Sequence, residues 1–307
     1  NPDYASVFAG SLEVDTIVMM LSALLGSEAV FESGSTVLIL DEIQECPEAR
    51  TALKFFRIDG RYDVIGTGSL LGVKGYGKEP KSVPVGSETV IDMYPLDFEE
   101  FLWANGIADP VIDMLKKCLQ KETPVPEALH NRMKQLLLQY VVVGGMPDAV
   151  QTFVGTKQMD EVLQIQRDIV RSYEDDMVKY AEKKDKSRIK ECFQSIPKQL
   201  SKENKKFQYS VVKKGSTASK YAGSLQWIED AGIIVRCYNL SITELPLDGN
   251  AEEDIFKVYM RDCGLFVSML EDGTQYDILQ GNLYGYKGAI FENLIADVFG
   301  KMGRKLY

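Results

Sequence analysis

The sequence predicts an α/β protein whose first part is built on a parallel sheet. The run Val37–Leu40 (VLIL) is apolar throughout, which is typical of a strand buried on both faces of a sheet. A second strand is expected at 62–65 (YDVI), and an amphipathic helix at 48–58 separates the two. Polar residues come directly after each strand: Asp41-Glu42 after the first and Gly66-Thr67-Gly68-Ser69 after the second. Open α/β sheets bind ligands at the carboxyl ends of their strands, so we expect these polar residues to lie together at such an edge.

Composition bounds the size and the environment of the protein. The 307 residues are 45% hydrophobic, which is enough for two or three domains with packed cores. No apolar run approaches the roughly 20 residues that a membrane-spanning helix needs, and no segment resembles a signal peptide. We therefore expect a cytoplasmic protein without a membrane segment.

Residue counts argue against several kinds of site. The cysteines are Cys46, Cys118, Cys192, Cys237 and Cys263. They lie far apart without a C-x-x-C pair, which favours reduced thiols over a disulfide framework or a zinc site. His130 is the single histidine, so a histidine-based triad or a multi-histidine metal site is effectively excluded. The net charge of −10 argues against non-specific nucleic-acid binding by the whole surface, although a local basic patch is still allowed.

Periodicity and capping signals predict further elements of the first part. Residues 12–25 carry apolar side chains at helical spacing, and Gly26 is a stop signal. After the second strand, 90–94 predicts another strand that runs into a proline. Asp97 then caps a helix whose first turn holds two glutamates, which suits the helix dipole.

Five motifs, in this order and spacing, carry a resemblance to a known family. They are Val37–Gln44 (VLILDEIQ), Gly66–Ser69 (GTGS), Tyr94–Leu102 (YPLDFEEFL), Val143–Pro147 (VGGMP) and Gly288–Asn293 (GAIFEN). Over nearly its whole length the chain resembles the bacterial and archaeal AAA-like ATPases that carry a long carboxyl-terminal region of unassigned function. The resemblance implies a P-loop nucleotide-binding core of α/β class, a helical region, a winged-helix-like module and a restriction-endonuclease-like end.

The resemblance also sets the expected domain boundaries. The expected segments are the carboxyl-terminal part of an AAA-like core (1–108), a helical lid region (109–182), a winged-helix-like module (183–243) and the start of an endonuclease-like domain (244–307). In that last segment Glu292 matches the first acid of the nuclease-like site. One carboxylate cannot organise a nuclease metal site, so we expect Glu292 to be structural and the chain to have no nuclease activity.

The resemblance implies roles in binding ATP and Mg²⁺ for the polar residues at the strand ends. Asp41 and Glu42 match the Walker B acids. Mg²⁺ prefers hard oxygen ligands, so Asp41 would hold the metal, directly or through water, while Glu42 would orient the attacking water. Thr67 or Ser69 matches the sensor 1 turn and would lie near the γ-phosphate. The alternatives are a strand that ends in two solvated acids, and a Thr or Ser that caps a helix.

Two departures limit what the resemblance predicts. Family members have a Walker A loop before this strand, and the chain has none, so most of the phosphate-binding machinery is missing. Many members also carry an arginine where 83–87 has none. We expect that the chain begins inside the ATPase core and that Asn1 is not the native start. ATP hydrolysis would then belong to the native-length product, and this chain alone would be inactive.

One loop imitates the missing motif. Gly72–Glu79 (GVKGYGKE) matches the Walker A pattern at every place but the last, where Glu79 replaces the hydroxyl that ligates Mg²⁺. Pro80 stands where a helix should start. We interpret this segment as a flexible Gly/Lys loop.

The middle of the chain is predicted to be helical. Apolar periodicity covers 110–142 in two helices, and 157–181 reads as one long amphipathic helix. Gly144–Pro147 breaks the helical pattern between them. This break is either a hinge between the ATPase part and the rest of the chain, or a plain turn.

A basic region suggests a second kind of function. Residues 179–220 hold thirteen Lys or Arg against four Asp or Glu, in a chain of net charge −10. Helices at 187–200 and 217–231 and strands at 207–212 and 233–238 predict a winged-helix-like module, with Ser219–Ala231 as its recognition-type helix. Such a region would bind DNA or a protein. The alternative to a switching ATPase is therefore a non-enzymatic binding module on a degenerate ATPase core.

The secondary structure of the carboxyl end is predicted from a Pro- and Gly-containing stretch and from one apolar helix. The acidic stretch 244–254 contains a proline and a glycine and reads as a linker. A strand is then expected to begin at Phe256 and to end in a turn. Residues 289–299 (AIFENLIADVF) form an apolar helix that carries Glu292.

Overall fold

The computed structural model describes residues 2–27, 29–69, 86–181, 185–202, 206–282 and 287–307. The chain forms two compact units, 1–92 and 93–307. The Gly72–Glu79 loop lies outside the described residues. Within the residues that are described, no helix is both long and apolar enough to cross a membrane.

Helices and strands occur in both units. The described part of the first unit contains helices α1 (Pro2–Ala5), α2 (Val14–Leu25) and α3 (Pro47–Asp59), and strands β1 (Val37–Leu40) and β2 (Asp63–Gly66). In the second unit lie helices α4 (Phe98–Ala104), α5 (Asp109–Gln120), α6 (Glu127–Val143), α7 (Pro147–Thr156), α8 (Met159–Tyr180), α9 (Lys186–Leu200), α10 (Tyr209–Val212), α11 (Ala218–Asp230), α12 (Cys263–Ser268), α13 (Thr274–Leu279) and α14 (Lys287–Lys301), with strands β3 (Ile234–Leu240) and β4 (Ala251–Met260).

The first unit confirms the predicted parallel pairing of its two strands. β1 and β2 pair in parallel with Leu38 opposite Val64, and α3 connects them. One face of this sheet packs on a core that includes Ile17 and Phe56 from α2 and α3. The predicted burial of β1 on both faces is wrong, because Ile39 on the other face is 67% exposed. In the described chain this sheet has two strands and is packed on one side, so alternate residues of β1 face outward.

Terminal residues explain where the helices of the first unit begin and end. α2 stops at Gly26, as the sequence predicts. α3 starts with a proline in its first turn and ends at Gly60, whose φ of 72° is the left-handed conformation that glycine adopts at little cost. Because Pro lacks an N–H that the first turn would leave unpaired, Pro47 is well placed at the start of α3.

The strand predicted at 90–94 does not form. Residues 88–97 are neither helix nor strand, and Ile91 is 83% exposed. No neighbouring strand in the described chain supplies backbone partners there, so the apolar composition alone does not make a strand. The predicted cap of α4 is confirmed: Glu100 N donates to Asp97 Oδ1 at 2.9 Å, and Asp97 N donates to Glu100 Oε2 at 2.8 Å.

The turn between α6 and α7 is a fixed part of the second unit. Gly144 has a φ of 73°, and both glycines of the turn are buried. A Cβ atom on Gly145 would lie 2.0 Å from the carbonyl oxygen of Leu96. Such close backbone packing favours the plain turn over the hinge. The long helices predicted around it, at 110–142 and 157–181, are confirmed as α5, α6 and α8.

The basic part of the second unit combines helices with a two-stranded hairpin. α9 packs against α11, and β3 pairs with β4 in antiparallel fashion from Ile234 opposite Met260. The predicted linker at 244–254 is wrong in its last four residues, because β4 begins at Ala251. The boundary expected between 243 and 244 thus falls inside this hairpin.

The strand predicted at 207–212 is replaced by the short helix α10. Phe207 N donates to the backbone oxygen of Phe256 at 2.8 Å, which is a single strand-like contact. The side chain of Gln199 then binds both backbone groups of Gln208, at 2.9 and 3.1 Å. This clamp turns the chain away from β4, so tertiary contacts override the β propensity of two adjacent valines.

Candidate functional site

The ends of β1 and β2 bring Asp41 and Thr67 into contact. The strand register places Leu40 opposite Gly66, so the next residue of each strand lies at the same edge. Thr67 N donates to the oxygen of Leu40 at 2.9 Å, which extends the ladder by one bond. The Thr67 hydroxyl donates to Asp41 Oδ1, and both residues are exposed. The predicted meeting of polar residues at this edge is therefore found for this pair.

Glu42 is held in an unusual backbone conformation beside them. Its φ of 53° and ψ of 46° are left-handed, which costs a non-glycine residue about 1–2 kcal/mol. The next residue, Ile43, offsets this cost: it is 5% exposed in the core, and its N donates to the Thr67 oxygen at 2.9 Å. Glu42 is thus fixed at the turn between a buried anchor and the end of β1, with its side chain exposed.

The Glu42 carboxylate has one neighbour that sequence reasoning missed. Gln44 Nε2 donates to Glu42 Oε2. The other end of the same amide, Oε1, is buried and has no hydrogen-bond partner within the described residues. Gln44 lies two residues after Glu42 in the VLILDEIQ motif. This short separation is the feature of the sequence that could have predicted the contact.

The donor set suits Mg²⁺ bound together with a phosphate. Asp41 could supply a carboxylate oxygen to the metal, with the Thr67 hydroxyl bound to that carboxylate and the exposed Glu42 carboxylate beside it. Within the described ranges, no group of three or more His, Cys, Asp or Glu could hold a metal by itself. Mg²⁺ commonly needs no such cage, since one or two carboxylates, waters and substrate phosphates complete its shell. Ser69, the other predicted sensor, is half-buried two residues beyond Thr67.

The second unit contains a separate cluster of buried polar groups, which we call the buried junction (Leu96, Tyr140, Gly145, Asp262, Asp297 and Lys301). The Asp262 carboxylate accepts hydrogen bonds of 2.7 Å from the backbone N of Gly145 and of Leu265. Lys301 Nζ lies 2.9 Å from Asp297 Oδ2 and donates to the Leu96 oxygen and the Tyr140 hydroxyl at 3.1 Å each.

Burial governs the chemistry of this junction. Asp262 and Asp297 are each 2% exposed, and desolvation raises the pKa of both carboxyls, that of Asp297 to about 7. The junction joins the Tyr94–Leu102 and Val143–Pro147 motifs to α14, and its hydrogen bonds are internal. We interpret it as structural.

Glu292 lies outside the junction, half-buried on the side of α14 that faces β4. Its Oε2 accepts from the Tyr259 hydroxyl at 2.9 Å and is paired with Lys257 Nζ at 3.1 Å. These contacts tie α14 to β4, and they agree with the structural role expected for Glu292.

Comparison with known proteins finds two family matches. Residues 9–102 match the model of a family described as an AAA domain, so this segment is similar to AAA domains. Residues 134–276 match a domain of unknown function (DUF8612). The first match contains Asp41, Glu42, Thr67 and Ser69, and it supports the AAA-like part of the resemblance seen in the motifs.

One solved structure is similar in outline. The Walker-type ATPase PABY2304 of Pyrococcus abyssi shares 12% identity with this chain at a TM-score of 0.46, and the alignment covers 85% of this chain and 68% of that one. No curated protein matches the chain.

Proposed function

We propose that the protein binds ATP with Mg²⁺ and hydrolyses it. The observation that carries the proposal is the contact of Asp41 with Thr67 at the carboxyl ends of two parallel strands, in a segment similar to AAA domains. Ligands bind at this edge of open α/β sheets. Glu42, exposed next to Asp41, adds the acid that a hydrolytic site needs.

Each residue has a distinct task in this proposal. Asp41 holds the metal, which would neutralise charge on the β- and γ-phosphates when bound. The Thr67 hydroxyl donates to Asp41 and so fixes the direction in which that carboxylate presents its second oxygen. Glu42 accepts a proton from the attacking water. Thr67 or Ser69 senses the γ-phosphate, and Thr67 can do so only when its single O–H turns from Asp41 to the phosphate. Hydrolysis changes the conformation of the protein rather than making a metabolite.

Replacement of Glu42 by Gln tests the catalytic part of this proposal. Gln keeps the size of the side chain but cannot accept the proton, so kcat should fall at least about 100-fold while the Kd for Mg·ATP changes less than about threefold. Phosphate release and a binding titration on the full-length protein measure the two quantities. Glu13→Gln, on an exposed residue at the start of α2, is the matched control. Retention of more than about a third of the wild-type turnover by Glu42→Gln contradicts the role.

A second candidate function is non-enzymatic binding of DNA or a protein. The arrangement of α9, α10 and α11 with the β3–β4 hairpin supports a winged-helix-like module. Lys214 and Lys220 are exposed around the start of α11, and neither forms an ion pair within the described part of the chain. Lys213, by contrast, is paired with Glu191 at 2.7 Å.

The dependence of duplex DNA binding on salt tests this candidate. Each phosphate contact contributes about −0.9 to the slope of log K against log salt, so Lys214→Gln/Lys220→Gln should make that slope shallower by about 2. Anisotropy of a labelled duplex measures it. Lys117→Gln/Lys121→Gln on exposed positions at the end of α5 should leave the slope unchanged. A wild-type slope near zero removes DNA and leaves a protein partner.

A further inference from the structure

Gln44 is placed to control the orientation of the Glu42 carboxylate. The amide Nε2 donates to Glu42 Oε2, and the opposite amide atom is buried without a partner in the described structure. Burying the carbonyl oxygen Oε1 without a hydrogen-bond donor costs free energy. A hydrogen bond to Oε1 is therefore not what orients the Gln44 amide. The contact with Glu42 instead decides which way the amide points, since only its nitrogen can donate to a carboxylate.

The backbone reinforces this contact. Ile43 lies between the two residues and is buried in the core, with its N bound to the Thr67 oxygen at 2.9 Å. The turn Ile43–Glu45 is therefore anchored at its first residue. The distance between the Glu42 and Gln44 side chains is set by the same anchor that fixes Glu42 in its left-handed conformation. The two side chains form one preorganised element at the end of β1.

We infer that Gln44 is a positioning residue for hydrolysis, which holds Glu42 by one carboxylate oxygen and leaves the other to accept a proton from the attacking water. This inference rests on the proposed function. A free carboxylate on an exposed side chain would sample several rotamers, and only some of them would meet the water. Fixing one oxygen raises the fraction of time in the productive geometry, which increases kcat without a change in nucleotide affinity.

Two substitutions separate the hydrogen bond from the shape of the side chain. Gln44→Leu removes the amide, whereas Gln44→Glu keeps its size, replaces the donated N–H by an acceptor and adds a negative charge beside Glu42. If the hydrogen bond positions Glu42, both substitutions in the full-length protein should lower kcat about 10- to 100-fold, with the KM for ATP and the Kd for Mg·ATP within about threefold of wild type. Gln120→Glu, exposed at the end of α5, is the control and should leave kcat unchanged. A binding stoichiometry near one shows that the site is folded.

A double-variant cycle shows whether Gln44 acts through Glu42. In the Glu42→Gln background, Gln44→Leu should cause less than about a twofold further loss of kcat, because the group that it positions is already gone. Wild-type turnover by Gln44→Glu, or an undiminished loss from Gln44→Leu in the Glu42→Gln background, overturns the inference while ATP hydrolysis stands. Absence of turnover by the full-length wild type overturns the proposed function and this inference together.

Discussion

Gly145→Ala is expected to destabilise the second unit by about 3 kcal/mol. The added Cβ would lie 2.0 Å from the Leu96 oxygen and within 2.9 Å of two further backbone atoms of Leu96, none of which can move as a side chain can. Overpacking costs about 1–3 kcal/mol. Displacement of the Gly145 N–H from the buried Asp262 carboxylate, which lies 2.7 Å away, adds a penalty of about 1–3 kcal/mol.

Thermal unfolding measures the effect of this substitution. For a unit of this size, 3 kcal/mol corresponds to a melting temperature lower by about 10 °C. Gly155→Ala is the matched control, because Gly155 lies in α7 with no atom within 4 Å of the position of a Cβ. That control should be neutral or stabilising by up to about 1 kcal/mol, since Ala is the better helix former. A melting temperature for Gly145→Ala within about 2 °C of wild type contradicts this close packing of the turn on Leu96.

Asp297→Asn is expected to flatten the dependence of stability on pH. Burial raises the folded pKa of Asp297 from 3.8 to about 7, with Lys301 and Arg261 opposing the shift and Asp262 adding to it. The folded state therefore holds a proton that the unfolded state has already lost between those two values. Stability is highest below pH 4 for this group and falls as the pH rises to 7. At about 1.4 kcal/mol per unit, the loss between pH 5 and pH 8 is on the order of 2 kcal/mol.

The free energy of unfolding at pH 5 and pH 8 tests this prediction. Asn cannot ionise, so the variant should lose this part of the difference between the two pH values, whatever its effect on absolute stability. Asp113→Asn, on an exposed position of α5, should keep the wild-type difference. A difference in Asp297→Asn equal to that of wild type shows that Asp297 does not titrate in this range.

Local signals predicted most of the fold of each unit. The period of 3.6 and the stop residues placed α2, α3, α6 and α8 within two residues of their observed ends. The predictions were wrong where tertiary contacts determine the secondary structure. Gln199 binds the backbone at the start of the predicted strand 207–212, which forms a helix instead. The apolar segment 90–94 has no partner strand in the described chain. The prediction that β1 is buried on both faces is wrong for the same reason. The composition of a strand does not indicate which elements pack against each of its faces.

The sequence predicted which residues form the candidate site, but it did not predict the hydrogen bonds between them. Two acids after an apolar strand and a hydroxyl after the next strand were enough to expect Asp41 and Thr67 at one edge. The hydrogen bond from Gln44 depends on the left-handed backbone conformation of Glu42. No residue type in this segment predicts that conformation. The buried junction brings together residues up to 205 positions apart, Leu96 and Lys301, and periodicity carries no information at that separation.

Titration of the full-length protein with Mg·ATP tests the central claim most directly. We expect saturable binding with one site per chain, equally in wild type and in Glu42→Gln. Binding should be lost when Mg²⁺ is removed, because Asp41 acts through the metal. Absence of binding by the full-length protein would contradict the proposed function, and would make the basic region the leading basis of function.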